Sequence, residues 1–232
     1  MTSDATTPTI QLCRNCGGGA PVDAHFCPQC TKVLSLGRQG DYFAFLGVPR
    51  RLRVNGAELE RRFRSLSRQF HPDYFYNASP AERRASLERA SYLNDAYRTL
   101  HQPITRIAYL LELEGFGAAA TGGQGAPTVP PSLLEEVFEL NEELDAVREL
   151  KVSGAPEDEW KRRLEAARKP IVGKQAEHEA DLDRLSEEWD AVADAPGRRA
   201  ERERVLAALR ERVLERNYIT NLLSGIEREL SL

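Results

Sequence analysis

The sequence predicts a mainly α-helical chain in three parts: a small N-terminal four-cysteine zinc module, a helical domain around a His-Pro-Asp loop, and a C-terminal three-helix bundle. Three observations predict it. All four cysteines fall within the first thirty residues as two Cys-x-x-Cys pairs, the text beyond them repeats apolar residues at helical spacing, and a Gly, Ala and Pro-rich stretch divides that helical text. The boundaries that follow are 1–37 for the metal module with a flexible N-terminus, 38–114 for the helical domain and its following helix, 115–131 for a flexible linker, and 132–232 for the bundle.

Cys13-x-x-Cys16 and Cys27-x-x-Cys30 stand ten residues apart. Each pair turns tightly enough to place two thiolates on one ion, and the segment between them brings the second pair round to complete a tetrahedron. Gly17, Gly18 and Gly19 ease the first turn. With no ligand position left open, zinc is structural here, and a segment too small for a core of its own depends on it for folding. Iron in a rubredoxin-like site uses similar spacing, so the metal stays open between the two. Two disulfides are the rival use of four cysteines, disfavoured where no secretion signal is present. A DNA-binding ribbon is disfavoured because Arg14 and Lys32 are the only basic residues near the cysteines and Asp23 offsets one. A thiol-dependent redox enzyme needs an accessible low-pKa cysteine, and ligation consumes all four. His25 is expected to be a surface or packing residue, since the ligand set is complete without it.

The next helix carries Leu59, Phe63, Leu66 and Phe70 on one stripe and Arg61, Arg64 and Arg68 on the opposite side. Arginine at three successive turns suits an acidic partner. Pro72 stops this helix at about His71, which leaves His71 and Asp73 at an exposed loop tip. Ser79 as cap, Pro80 at the first helical position and Glu82 in the box position restart the helix. Pro103 opens a further helix through Ile107, Leu110 and Leu111 that ends near Gly115.

In the bundle, Ser132 with Glu135 forms the expected capping box of a helix whose seam is Leu133, Val137, Leu140, Leu144 and Val147. A second helix follows with Trp160, Leu164, Ala167, Ile171, Leu182, Leu185 and Trp189, kinked at Pro170 and broken at Ala195-Pro196-Gly197. The last helix turns Val205, Leu209, Ile219, Leu223, Ile226 and Leu230 inward, completing three antiparallel helices around one core. Leu134 and Phe138 lie about 100° and about 140° from the seam of the first helix. Tyr218 is similarly displaced on the last, so the three mark a surface for a partner.

The His-Pro-Asp loop, its basic helix, Asp41-Tyr42-Phe43-Ala44-Phe45-Leu46-Gly47 before it and Leu93-Asn94-Asp95-Ala96-Tyr97-Arg98-Thr99-Leu100 after it resemble the J-domain of DnaJ-type co-chaperones over about residues 41–101. That resemblance implies that His71, Pro72 and Asp73 trigger ATP hydrolysis by a DnaK-like chaperone, that Arg61, Arg64 and Arg68 dock it, and that this chain has no catalytic group. The run Leu134-Glu135-Glu136-Val137-Phe138-Glu139-Leu140-Asn141-Glu142-Glu143-Leu144 extends the resemblance, over about residues 41–232, to the HscB/Jac-type co-chaperones of iron-sulfur cluster assembly. Some members also carry an N-terminal four-cysteine zinc module. The resemblance implies that Leu134, Phe138, Glu139, Glu142 and Tyr218 bind an IscU-type iron-sulfur scaffold protein. Glu135 and Asn141 depart from the usual pattern and are not carried over.

A formal net charge of −4 argues against a general nucleic-acid binder. No apolar run approaches the roughly 20 residues that span a bilayer, and the first twelve residues hold no Lys or Arg, unlike a leader peptide; a reducing cytoplasm is the expected compartment. A general zinc-containing J-protein for client folding, with the bundle as a dimerisation unit, is the alternative reading.

Overall fold

A computed structural model describes residues 10–36, 41–117 and 130–231. The middle of the expected linker, 118–129, and most of the N-terminal tail lie outside the described residues. The chain divides into two compact units, Met1–Arg106 and Ile107–Leu232.

The first unit opens with a two-stranded antiparallel sheet, β1 (Ile10–Leu12) and β2 (Gly19–Pro21), in which Gln11 faces Ala20. Three helices follow: α1 (Tyr42–Leu46), α2 (Gly56–Phe70) and α3 (Pro80–His101). Each starts on a side-chain cap. Asp41 accepts from the Ala44 amide and Asn55 from the Glu58 amide, while Ser79 and Glu82 exchange bonds in the expected capping box with Pro80 at the first position. Gly47 ends α1 at φ 65°, a left-handed conformation that costs glycine little. Helix α2 stops at Phe70 because Pro72 drives His71 into extended backbone, at φ −61° and ψ 126°. Leu59 and Phe70 are buried, Phe63 and Leu66 half-buried, and Arg61, Arg64 and Arg68 exposed, which is the amphipathic division expected. Phe63 stacks on Tyr97 of α3 with ring centroids 4.3 Å apart. Leu93, Ala96 and Leu100 supply the buried stripe of α3. One turn was not foreseen: the loop itself winds into a 3-10 turn over Pro72–Phe75.

Helix α4 (Pro103–Leu113) crosses the division between the units. In the second unit, α5 (Leu134–Val152), α6 (Glu157–Val192) and α7 (Arg199–Ser231) share a core of Leu133, Val137, Leu140 and Val147 against Trp160, Leu164 and Ile171 and against Ile219, Leu223 and Ile226. Ion pairs fix the directions. Glu143 with Arg163 and Glu136 with Lys174 set α5 against α6, and Arg204 with Glu188 sets α7 against α6. Helices α5 and α7 therefore run the same way, as Ser132 with Glu215 and Lys151 with Glu229 confirm.

The expected cap on α5 is corrected. A 3-10 turn over Pro131–Leu133 precedes the helix, no side chain caps it, and the Ser132 hydroxyl donates to Glu215 Oε1 at 2.6 Å. The reason is energetic. A lost cap costs about 1 kcal/mol, whereas a buried carboxylate short of a donor costs up to about 3 kcal/mol or more. Pro170, read as a kink, is exposed within one continuous helix. Among the described residues no helix is long and apolar enough to cross a membrane.

Candidate functional site

The four cysteines converge. Cys13 Sγ lies 3.7 Å from Cys30 Sγ, Cys16 Sγ 3.7 Å from Cys27 Sγ, and all four sulfurs fall within 4.8 Å of one another. A tetrahedron of thiolates at about 2.3 Å from zinc has sulfurs about 3.8 Å apart, so the donor set fits a single ion with four ligands. Two tight turns produce this: the Gly17 amide donates to the Cys13 carbonyl at 2.8 Å, and the Thr31 amide to the Cys27 carbonyl at 2.9 Å. Gly17 at φ 72° is the permissive residue of the first turn, while Thr31 holds φ 58° in the second, an uncommon conformation for a β-branched residue. Hydrogen bonding from the Lys32 amide lowers the Cys30 thiol to about 6. Cys16 rises to about 12 although the Gly18 amide pulls it down, because the other thiols crowd it. A cation held between sulfurs this close would offset the repulsion among thiolate ligands.

The loop stands clear on the surface. His71 and Asp73 are exposed, Pro72 is half-buried, and the His71 Nδ1 accepts from the Asp73 amide at 3.4 Å. The Tyr74 amide closes the turn on the His71 carbonyl at 3.0 Å. Tyr74 and Tyr76 add exposed aromatic rings beside it. On the basic face, Arg64 pairs with Glu60 at 2.5 Å and Arg68 donates to the Arg64 carbonyl at 3.3 Å. Among the described residues, Arg61 and Arg68 have no carboxylate partner, so the face keeps its positive sign.

On α5, Leu134 and Phe138 are 43% and 68% exposed, and Glu139 and Glu142 are exposed beside them. Tyr218 differs, being half-buried against the bundle core.

No family model matches the chain. Among solved structures it is similar to human co-chaperone protein HscB, with 27% identity over 96% of this chain and 100% of that one and a TM-score of 0.67. The chain has an HscB-like fold. Chaperone HscB from Vibrio cholerae is similar at 28% identity, over 82% of this chain and 97% of that one, with a TM-score of 0.53.

Within the HscB-like fold, the residues singled out from sequence fall into three groups: the sulfur cluster and the loop with its basic helix in the first unit, and the exposed α5 residues in the second. One functional-looking residue escaped sequence reasoning. Arg89 of α3 is 1% exposed, and its guanidinium donates from Nε to the Leu34 carbonyl at 2.6 Å and from Nη2 to the Ser35 and Ala24 carbonyls at 3.1 and 3.3 Å. Its Nη1 meets His25 Nδ1 at 2.8 Å, and since arginine only donates, His25 accepts there; the His25 ring also lies edge-on to Phe45 at 4.8 Å. Burial, with the Arg89 charge behind it, lowers His25 to about 4, so this ring is neutral at physiological pH. Burial also lowers Arg89, to about 10, which leaves it charged. Among the described residues no carboxylate pairs with it; the faces of Phe70 and Phe45, 5.6 and 5.8 Å from the guanidinium carbon, and neutral carbonyls hold the charge instead. No sequence signal marks Arg89, because the partners it joins lie 54 to 65 residues away.

Proposed function

We propose that this protein is a J-protein co-chaperone of iron-sulfur cluster assembly. It binds an IscU-type scaffold through α5, delivers it to a DnaK-like chaperone, and stimulates that chaperone's ATPase through His71, Pro72 and Asp73. The HscB-like fold over nearly the whole chain is the observation that carries this reading. The local geometry supports it. The loop is exposed between two capped helices, Arg61, Arg64 and Arg68 offer a cationic docking face, and Leu134 and Phe138 leave apolar area for a partner to bury. The loop belongs to the first unit and α5 to the second. The ATP chemistry is the chaperone's; this chain positions and triggers. The sulfur cluster holds one structural ion, zinc in the first instance, and a reducing cytoplasm keeps its thiols available.

The test is ATP turnover by a DnaK-type chaperone, with and without an IscU-type scaffold. His71→Gln is expected to abolish stimulation while scaffold affinity, measured by calorimetric titration, is unchanged. Normal stimulation by the variant would refute the triggering role. Failure of the wild-type protein to bind the scaffold would point to a general client-folding J-protein.

A further inference from the structure

The cysteine module grips the His-Pro-Asp loop at both of its roots. At the entering root, Phe70 is completely buried, with the Phe26 ring stacked on it at 5.9 Å and 28° and the His25 ring edge-on at 5.1 Å and 79°. Phe26 is the neighbour of the ligand Cys27 in the chain. At the leaving root, Lys32 Nζ pairs with Glu82 Oε1 at 3.0 Å, while Glu82 Oε2 accepts from the Ser79 amide at 3.2 Å and from its hydroxyl at 2.9 Å. Lys32 in turn belongs to the second cysteine turn, its carbonyl accepting from the Cys27 amide at 2.9 Å. Between the two roots, Arg89 ties α3 to the carbonyls on either side of that same turn, at Ala24, Leu34 and Ser35.

These ties depend on the module being folded. Its own buried core is Cys13, Ala20, Cys27 and Leu34, two of which are ligands, and so few apolar side chains cannot hold a fold unaided. Thr31 also sits in a disfavoured conformation that the closed sulfur cluster must maintain. Loss of the ion therefore frees the segment carrying His25, Phe26 and Lys32. Phe70 then loses its cover one residue before His71, and the capping box at Ser79 loses the lysine that orients Glu82.

We propose that the ion-loaded cysteine module is a clamp that positions the His-Pro-Asp loop, with Phe26, Lys32 and Arg89 as its positioning residues, so that a chain without the ion presents the loop poorly. The geometric part stands on the contacts alone; its consequence for a chaperone rests on the function proposed above.

Hydrogen exchange on the full-length protein tests the clamp directly. The Tyr74, Tyr76 and Ala78 amides donate to carbonyls within the loop, so their exchange reports its order. Stripping the ion with a thiol-blocking mercurial and EDTA, verified by elemental analysis, is expected to speed exchange over 71–79 by about tenfold and to leave α5 unchanged. The Phe26→Ala/Lys32→Ala double variant is expected to retain one equivalent of metal yet show the same fast exchange over 71–79. Its stimulation of a DnaK-type chaperone should fall several-fold. Unchanged exchange over 71–79 in a stripped protein whose residues 10–36 have opened would overturn the clamp, as would a metal-loaded double variant with wild-type exchange. The two proposals separate cleanly: a loop that responds to the ion in a protein whose His71→Gln variant still stimulates upholds the clamp and removes the chaperone reading.

Discussion

Arg89 and His178 are each buried and ionisable, and they obey different rules. Arg89 keeps its charge because its five N–H donors meet three carbonyls, an imidazole nitrogen and two aromatic faces. Truncation would strand those acceptors. Arg89→Ala is expected to destabilise the first unit by about 3 kcal/mol or more, read from its thermal transition. His178 of α6 lies 3.4 Å from Glu215 Oε2, in a network where Glu215 also accepts from Arg212 and Ser132. Burial moves the His178 pKa below its ordinary value, and this outweighs the attraction of Glu215. The folded chain thus resists a proton that the unfolded chain accepts. Stability is fully present above about pH 6.5 and is lost as pH falls below it, by at most about 1.4 kcal/mol per pH unit. Calorimetric melts of wild type and His178→Gln between pH 7 and pH 5 check this; the variant should lack that component of the decline.

Helix α5 separates two kinds of apolar residue that its sequence places side by side. Val137, Leu140 and Val147 are in the core, whereas Leu134 and Phe138 face outward. Leu134→Ala/Phe138→Ala is expected to weaken scaffold binding by about 2 kcal/mol or more and leave the melting temperature almost unmoved. Tyr218, half-buried against the core, behaves otherwise. Tyr218→Ala should lower the melting temperature of the second unit as well as scaffold affinity. For α2, Arg61→Glu with Arg68→Glu should weaken chaperone docking most at low salt, since charges on an exposed face are screened over about 10 Å at 0.1 M ionic strength. An effect independent of salt would count against electrostatic docking. The edges of α2 and α3 were legible from sequence because their signals are local: Pro72 acts on the residue before it, and Ser79 acts on Glu82 within one turn. Ser132 carries the same local signal yet does not cap α5, because a carboxylate 83 residues away takes its hydroxyl.

For the molecule as a whole, two units with separate cores imply two separable responses to metal loss. Thiol-blocking reagents should release one equivalent of metal and lower the first calorimetric transition, while the transition of the bundle persists. A chain with no metal and two disulfides by mass would overturn the site. Spacing along the chain by itself determined the pairing of the four cysteines, the capping box of α3, the loop and the seams, because turn geometry and helical periodicity act within a few residues. The tertiary structure decided which charges are buried and which donors meet them: Arg89 beneath the cysteine module, Lys32 on the capping box, and Ser132 turned from its own helix to Glu215. Those choices turn on desolvation, and a buried charge takes whatever partners the folded chain brings within reach, however far apart they lie in sequence.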